Sequence, residues 1–150
     1  MKLEKYCEQL ATSLHNGQTR WGGEPYISHP KSVVGILKEK GNGELCCCVG
    51  WLHDTVEDCN ISLEELKEKL EIVTDSYTSL RIAKIISILT KEKHETYADY
   101  IFRILNSGEN RAIQVKMADL LHNMSDLKPG QRLQKYQLAY RILKKIQISS

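Results

Sequence analysis

Leu45-Cys46-Cys47-Cys48-Val49-Gly50-Trp51-Leu52-His53-Asp54-Thr55-Val56-Glu57-Asp58 runs from the most apolar segment of the chain straight into one imidazole and three carboxylates. Read as helix, each residue turns about 100°, so His53 shares a face with Glu57, and Asp54 shares one with Glu57 and Asp58. A buried helix ending in such a group is costly unless a cation or a substrate compensates the charge. The apolar half of the stretch predicts a helical core, and the polar half predicts a metal.

Helical spacing continues on both sides. Leu3, Tyr6, Cys7, Leu10, Ala11 and Leu14 recur at three and four, and Gly17 ends that stripe. Gly22-Gly23-Glu24-Pro25 makes a loop that delivers Tyr26-Ile27-Ser28-His29. Pro30 then suits the first turn of a helix with Val33, Val34, Ile36 and Leu37 inward, up to the break at Gly41-Asn42-Gly43. Beyond Asp58, Ser62-Leu63-Glu64-Glu65 reads as a capping box that opens a charged helix to about Ile72. Leu80, Ile82, Ala83, Ile85, Ile86 and Leu89 form a further helix, and Tyr97, Tyr100, Ile101, Ile104 and Leu105 another. Ile113 to Leu121 is largely apolar but contains Asp119. Pro129-Gly130 precedes a last stripe of Leu133, Tyr136, Leu138, Tyr140, Ile142, Leu143 and Ile146. Sustained period-two alternation is missing. The expectation is all-α.

At 150 residues the chain fits one domain, 1–150, able to remove roughly 70% of its unfolded surface from water. A formal charge of +2 is too small to announce a nucleic-acid or membrane partner. Arg132, Lys135, Arg141, Lys144 and Lys145 read as a solvated helix face. Met1-Lys2-Leu3-Glu4-Lys5 is not expected to be a signal peptide, and no apolar run approaches the ~20 residues that cross a membrane. Cys7, Cys46, Cys47, Cys48 and Cys59 lack both Cys-x-x-Cys and framework spacing, which fits reduced packing thiols and a cytoplasmic location. There is no Gly-rich phosphate loop and no His-Glu-x-x-His.

Three places offer ligands: His29, His53-Asp54 and Asp119. Two imidazoles and two carboxylates form a mixed N/O set suited to Mn2+, Fe2+, Zn2+ or a related cation. Such a cation lowers the pKa of water, and Glu57 and Asp58 stand one turn on, where they could orient that water or take its proton. An aspartate inside an apolar helix needs a reason, and ligation is one.

These residues resemble the HD superfamily of metal-dependent phosphohydrolases, and more closely the hydrolase domain of the alarmone (ppGpp) synthetase/hydrolases and their small stand-alone relatives. The matching pieces are His15-Asn16-Gly17-Gln18-Thr19-Arg20, Gly23-Glu24-Pro25-Tyr26-Ile27-Ser28-His29-Pro30, Leu52-His53-Asp54-Thr55-Val56-Glu57-Asp58, and Val115-Lys116-Met117-Ala118-Asp119 with His122-Asn123. The resemblance implies a single compact HD-domain helical bundle. It makes His29, His53, Asp54 and Asp119 the ligands of a divalent metal, typically Mn2+, with Fe2+, Zn2+, Co2+ or Ni2+ as alternatives. Glu57 and Asp58 become the catalytic pair. Arg20 is matched to a contact with the guanine base and Asn123 to the nucleotide site. The implied reaction removes the 3′-pyrophosphate from ppGpp, giving GDP and pyrophosphate.

The chain also departs from the pattern. Trp21 replaces a basic residue, Leu120 and Ser125 replace arginines, and Asp126 adds a negative charge. Those changes keep two alternatives open: another nucleotide or small phosphate ester as substrate, or a metal- or nucleotide-binding module without turnover. The intact Glu57-Asp58 pair speaks against the second. No synthetase domain is expected within these residues. The remaining histidines read as structural: His122 beside the site, His15 at a helix end and His94 in a solvated turn. The oligomeric state is not legible.

Overall fold

The apolar run becomes the centre of the molecule. A computed structural model describes residues 2–149; Met1 and Ser150, the ends of the expected domain, and the side chains of residues 146–149, Ile146 among them, lie outside the described residues. Among those described there are nine helices and no strand: α1 (Leu3–Leu14), α2 (Ser28–Glu39), α3 (Glu44–Leu52), α4 (Thr55–Asp58), α5 (Leu63–Leu70), α6 (Ser76–Leu89), α7 (Tyr97–Asn106), α8 (Asn110–Ser125) and α9 (Gln131–Ser149). The all-α reading holds. None of these helices is long and apolar enough to cross a membrane.

Every residue of α3 from Cys46 to Leu52 is buried, as a helix apolar on all sides must be. α1, α2, α6 and α8 pack around it. Gly50 sets how closely α2 can approach: a Cβ there would lie 2.8 Å from Leu37 Cδ1 and 3.0 Å from Val34 Cγ2. Both neighbours are buried, so they have little room to yield. Gly50→Ala is therefore expected to destabilise the fold by about 1–3 kcal/mol, the range for overpacking, read as a lower denaturant midpoint at unchanged slope.

Ser62 caps α5 as read from sequence, its hydroxyl accepting from the Glu65 N–H at 3.1 Å. Asp75 and Thr96 do the same for α6 and α7. Leu80 and Leu138 lie on their expected helices but are 55% and 62% exposed. On α6 the buried set is Ser79, Ile82, Ala83, Ile85, Ile86 and Leu89, and Leu80 is one 100° step past Ser79, off that face. Leu138 is displaced in the same way from Ala139 and Leu143. Of the five free thiols four are buried and Cys59 is half-buried, a partial exception to the packing role expected of it.

Candidate metal centre

Three regions deliver the candidate ligands. The loop between α1 and α2 is closed by backbone bonds, Arg20 N–H to Glu24 O and Tyr26 N–H to Gln18 O, both 2.9 Å, and it feeds His29 into the first turn of α2. Asp119 sits in the middle of α8, buried. His53 and Asp54 fall between α3 and α4, and here the structure corrects the expectation of one continuous helix. The helix stops at Leu52, whose carbonyl accepts the Thr55 hydroxyl at 2.7 Å. On an unbroken helix, neighbours project about 100° apart; the break lets His53 and Asp54 face the same point.

The four side chains meet. His29 Nε2 lies 2.8 Å from Asp119 Oδ1 and 3.6 Å from Asp54 Oδ2. His53 Nε2 lies 3.1 Å from Asp54 Oδ2 and 3.4 Å from Asp119 Oδ1. One donor atom from each falls within 4.8 Å of all the others. Ligands about 2.1 Å from an ion sit about 3 Å apart at adjacent positions, so the spacing suits one cation.

Hydrogen bonds behind the imidazoles decide which nitrogens face inward. His53 Nδ1 is 2.7 Å from the Gly50 carbonyl, which can only accept, so Nδ1 carries the hydrogen. Nε2 is left buried with no hydrogen-bond partner, its two carboxylate neighbours at ion-pair distance but out of hydrogen-bond line. A lone pair aimed at two carboxylates is unfavourable unless a cation or a proton lies between them. His29 Nδ1 lies 2.7 Å from His122 Nδ1. Burial, His29 and Arg20 lower the pKa of His122, so it is the neutral acceptor and His29 keeps Nε2 for the cluster. His122 thus stands behind His29 rather than among the donors.

The charges support one another. Burial opposes ionisation of Asp119, but Lys116 at 2.8 Å and the two imidazoles hold its pKa well below the carboxylate range. Burial also opposes ionisation of Asp54, yet His53 and His29 bring it down to about 2. Burial lowers the pKa of His53, and Asp54 and Asp119 overcome that and hold it well above the imidazole range. A raised folded pKa means the proton on His53 stabilises the metal-free protein fully below about pH 6.5, an advantage lost as pH climbs through the raised value. Cation binding must displace that proton. Metal affinity is therefore expected to rise by about tenfold per pH unit above about pH 6.5 until the raised pKa is passed, measured by titration with a metal indicator. A flat affinity across that window would contradict the assignment of His53.

Beside the cluster lies a cavity of about 350 Å3 whose walls include Asp54, Glu57, Asp58, Lys91, Lys116, Asn123 and Lys135. Other hollows, along α1 at Glu8–Asn16 and at Gly41–Arg111, gather no such donors among the described residues. Glu57 accepts the Lys91 N–H at 2.5 Å, and Asp58 accepts from the Tyr26 hydroxyl at 3.3 Å. Both carboxylates stand at the exposed mouth, but the protein beneath them and the charge of Asp54 raise their pKa values.

Arg20 and Asn123 are brought together, with Arg20 Nη2 donating to Asn123 Oδ1 at 3.1 Å. Arg20 is buried, contrary to the exposed loop charge that composition alone suggests, and the Trp21 ring lies 4.7 Å from its guanidinium. Asn123 lines the cavity and Arg20 does not. Three participants escaped the sequence reading. Tyr26 donates to Asp54 Oδ2 at 2.5 Å; Lys116 pairs with Asp119; Thr55 stops α3. Each of the first two stands three residues before a ligand, Tyr26 before His29 and Lys116 before Asp119, and that spacing was the available signal.

Comparison with known proteins agrees with this arrangement. A probable guanosine-3′,5′-bis(diphosphate) 3′-pyrophosphohydrolase of Synechocystis sp. is 36% identical over 122 residues, covering 79% of this chain and 16% of that protein. A GTP pyrophosphokinase of Myxococcus xanthus is 36% identical over 131 residues, covering 85% and 17%. The chain thus spans about one sixth of the length of these relatives. A solved metazoan orthologue of SpoT, described as hydrolysing ppGpp, superposes with a TM-score of 0.72 at 22% identity over 97% of this chain and 84% of its own, a likeness of fold. The model of the HD domain matches residues 8–144, nearly the whole chain and all four donors, and the chain belongs to the HD domain family.

Proposed function

We propose that this chain is a metal-dependent phosphohydrolase that removes the 3′-pyrophosphate from guanosine 3′,5′-bis(diphosphate), a small-molecule nucleotide, with residues 1–150 acting as one HD-type domain in the cytoplasm. One observation carries the reading: the buried, unpartnered Nε2 of His53 faces two carboxylates at the edge of a cavity walled by acids and lysines. His29, His53, Asp54 and Asp119 would hold the cation, Mn2+ first among those a mixed N/O set accepts. A divalent cation bound there supplies Lewis acidity and lowers the pKa of water.

The remaining work falls to the chain. Glu57 and Asp58, with pKa values lifted toward neutrality, are better proton acceptors than ordinary carboxylates and take the proton of the attacking water. Tyr26 bonds to both Asp54 and Asp58 and keeps ligand and base in register. Lys91, Lys116 and Lys135 offer positive charge to an anionic substrate, offsetting in part the arginines missing at Leu120 and Ser125. Arg20 and Asn123 are assigned to the nucleotide.

A second reading, hydrolysis of another nucleotide or small phosphate ester, is favoured by Trp21, whose ring covers the guanidinium matched to the guanine contact. A substrate panel with Mn2+ decides. Pyrophosphate released from ppGpp supports the first reading and orthophosphate from a monophosphate the second. No release from any member, with one metal bound per chain, would leave a binding module.

A further inference from the structure

On the α7/α8 side of the cavity one donor group has no acceptor and another has a single acceptor for three hydrogens. The Tyr97 hydroxyl is buried and has no hydrogen-bond partner, while its ring is held between Tyr100 and Tyr136 at centroid distances of 6.0 and 5.9 Å. A buried phenol without an acceptor is disfavoured unless a ligand supplies one. Lys116 is 12% exposed at its side chain. Its ammonium gives one hydrogen bond, to Asp119 Oδ2 at 2.8 Å, and lies 5.0 Å from the centre of the Tyr100 ring. An ammonium has three donors, and no second acceptor for it occurs among the described residues.

Both residues line the same cavity as His53, Asp54 and Glu57. Asp119 divides its oxygens, Oδ1 toward His29 and His53 and Oδ2 toward Lys116, so the ammonium is fixed in place relative to the four donors. Glu57 and Asp58 bring acceptors to the cavity, whereas Tyr97 and Lys116 bring donors. The non-bridging oxygens of a tetrahedral phosphoryl group only accept, and so match these donors.

We propose that Lys116 and Tyr97 form a phosphoryl-oxygen subsite, donating to non-bridging oxygens of the substrate's phosphate. The proposal rests on the phosphohydrolase reading above; it turns Lys116 from a general source of charge into a direct contact and adds Tyr97. Lys116 supplies charge, and Tyr97, its ring packed against those of Tyr100 and Tyr136, supplies a neutral donor.

Inorganic phosphate is the probe, added to the Mn2+-loaded full chain and followed by the relaxation of its 31P signal. Lys116→Met is expected to weaken phosphate binding by about ten- to a hundredfold and Tyr97→Phe by about three- to tenfold, the scales of charged and neutral hydrogen bonds. Tyr97→Phe should bind Mn2+ as the wild type does and melt no lower, since it removes a buried unsatisfied hydroxyl. That combination separates a ligand contact from a packing role. Should Lys116→Met fail to fold, Tyr97→Phe decides alone. Phosphate affinity in Tyr97→Phe within about twofold of wild type, or no phosphate binding by wild type, would overturn the subsite. If phosphate binds with the expected dependence on both residues while no panel member is hydrolysed, the subsite stands and the phosphohydrolase reading falls.

Discussion

Asp54→Ala is expected to lose both bound metal and turnover. Asp54 Oδ2 lies 3.1 Å from His53 Nε2 and 3.6 Å from His29 Nε2, so its removal opens the donor set on the side shared by both imidazoles. It also strips the acceptor from the Tyr26 hydroxyl, which then has only Asp58. Two imidazoles and one carboxylate remain, one of them Asp119 already shared with Lys116. Loss of even a group behind a metal ligand commonly weakens affinity by about 10–100-fold, and loss of a ligand should exceed that. Elemental analysis after dialysis should find the variant essentially metal-free, and turnover should fall by at least about 10³-fold. Added Mn2+ should raise the melting temperature of the wild type by mass action and leave that of the variant unmoved. Stoichiometric Mn2+ in Asp54→Ala would sink the ligand assignment.

Glu57→Gln should separate chemistry from binding. Glu57 takes no part in the donor cluster and is held instead by the Lys91 N–H across the α6–α7 connection. The substitution should spare metal content while slowing turnover by about 10²–10⁴-fold, the span for a general base. The pH profile gives a second check. Burial and Asp54 raise the pKa of Glu57, so the acidic limb of the wild-type rate should rise through a value above that of an ordinary glutamate. A proton acceptor must be ionised to work, hence the rate climbs as pH increases through that pKa. Glu57→Gln should flatten or displace this limb. Asp58→Asn, made in parallel, identifies which acid dominates, because Asp58 shares the raised pKa but leans on Tyr26. Equal metal loss in Asp54→Ala and Glu57→Gln would falsify the division of roles.

Much of the site was legible because its residues violate the pattern around them. Asp119 stands out in the run from Ile113 to Leu121, and His53-Asp54 ends the most apolar segment of the chain. The same logic under-read Lys116 and Tyr97. A lysine beside an aspartate on a helix and a tyrosine on an amphipathic stripe are ordinary, and only burial without enough partners marks them out. Arg20 shows the opposite failure. A charge in a glycine-rich loop reads as exposed, yet Trp21, Asn123 and the fold of the loop close over it. The break at His53 was hidden because Thr55 and Val56 carry no signal against helix strong enough to outweigh the run before them, and the Thr55 hydroxyl that stops α3 does so through a contact.

By itself the sequence determined the helical class, the central place of the Leu45–Leu52 run and the identity of the four candidate donors. Periodicity and burial preference are properties of the chain, readable residue by residue. Only tertiary structure decided which nitrogen each imidazole offers, which Asp119 oxygen faces the imidazoles and which faces Lys116, and which donors line the cavity. Those depend on the Gly50 carbonyl, His122 and Asp119, groups brought to the spot by helices packing at close range, and no spacing in the chain encodes a direction between side chains on different helices.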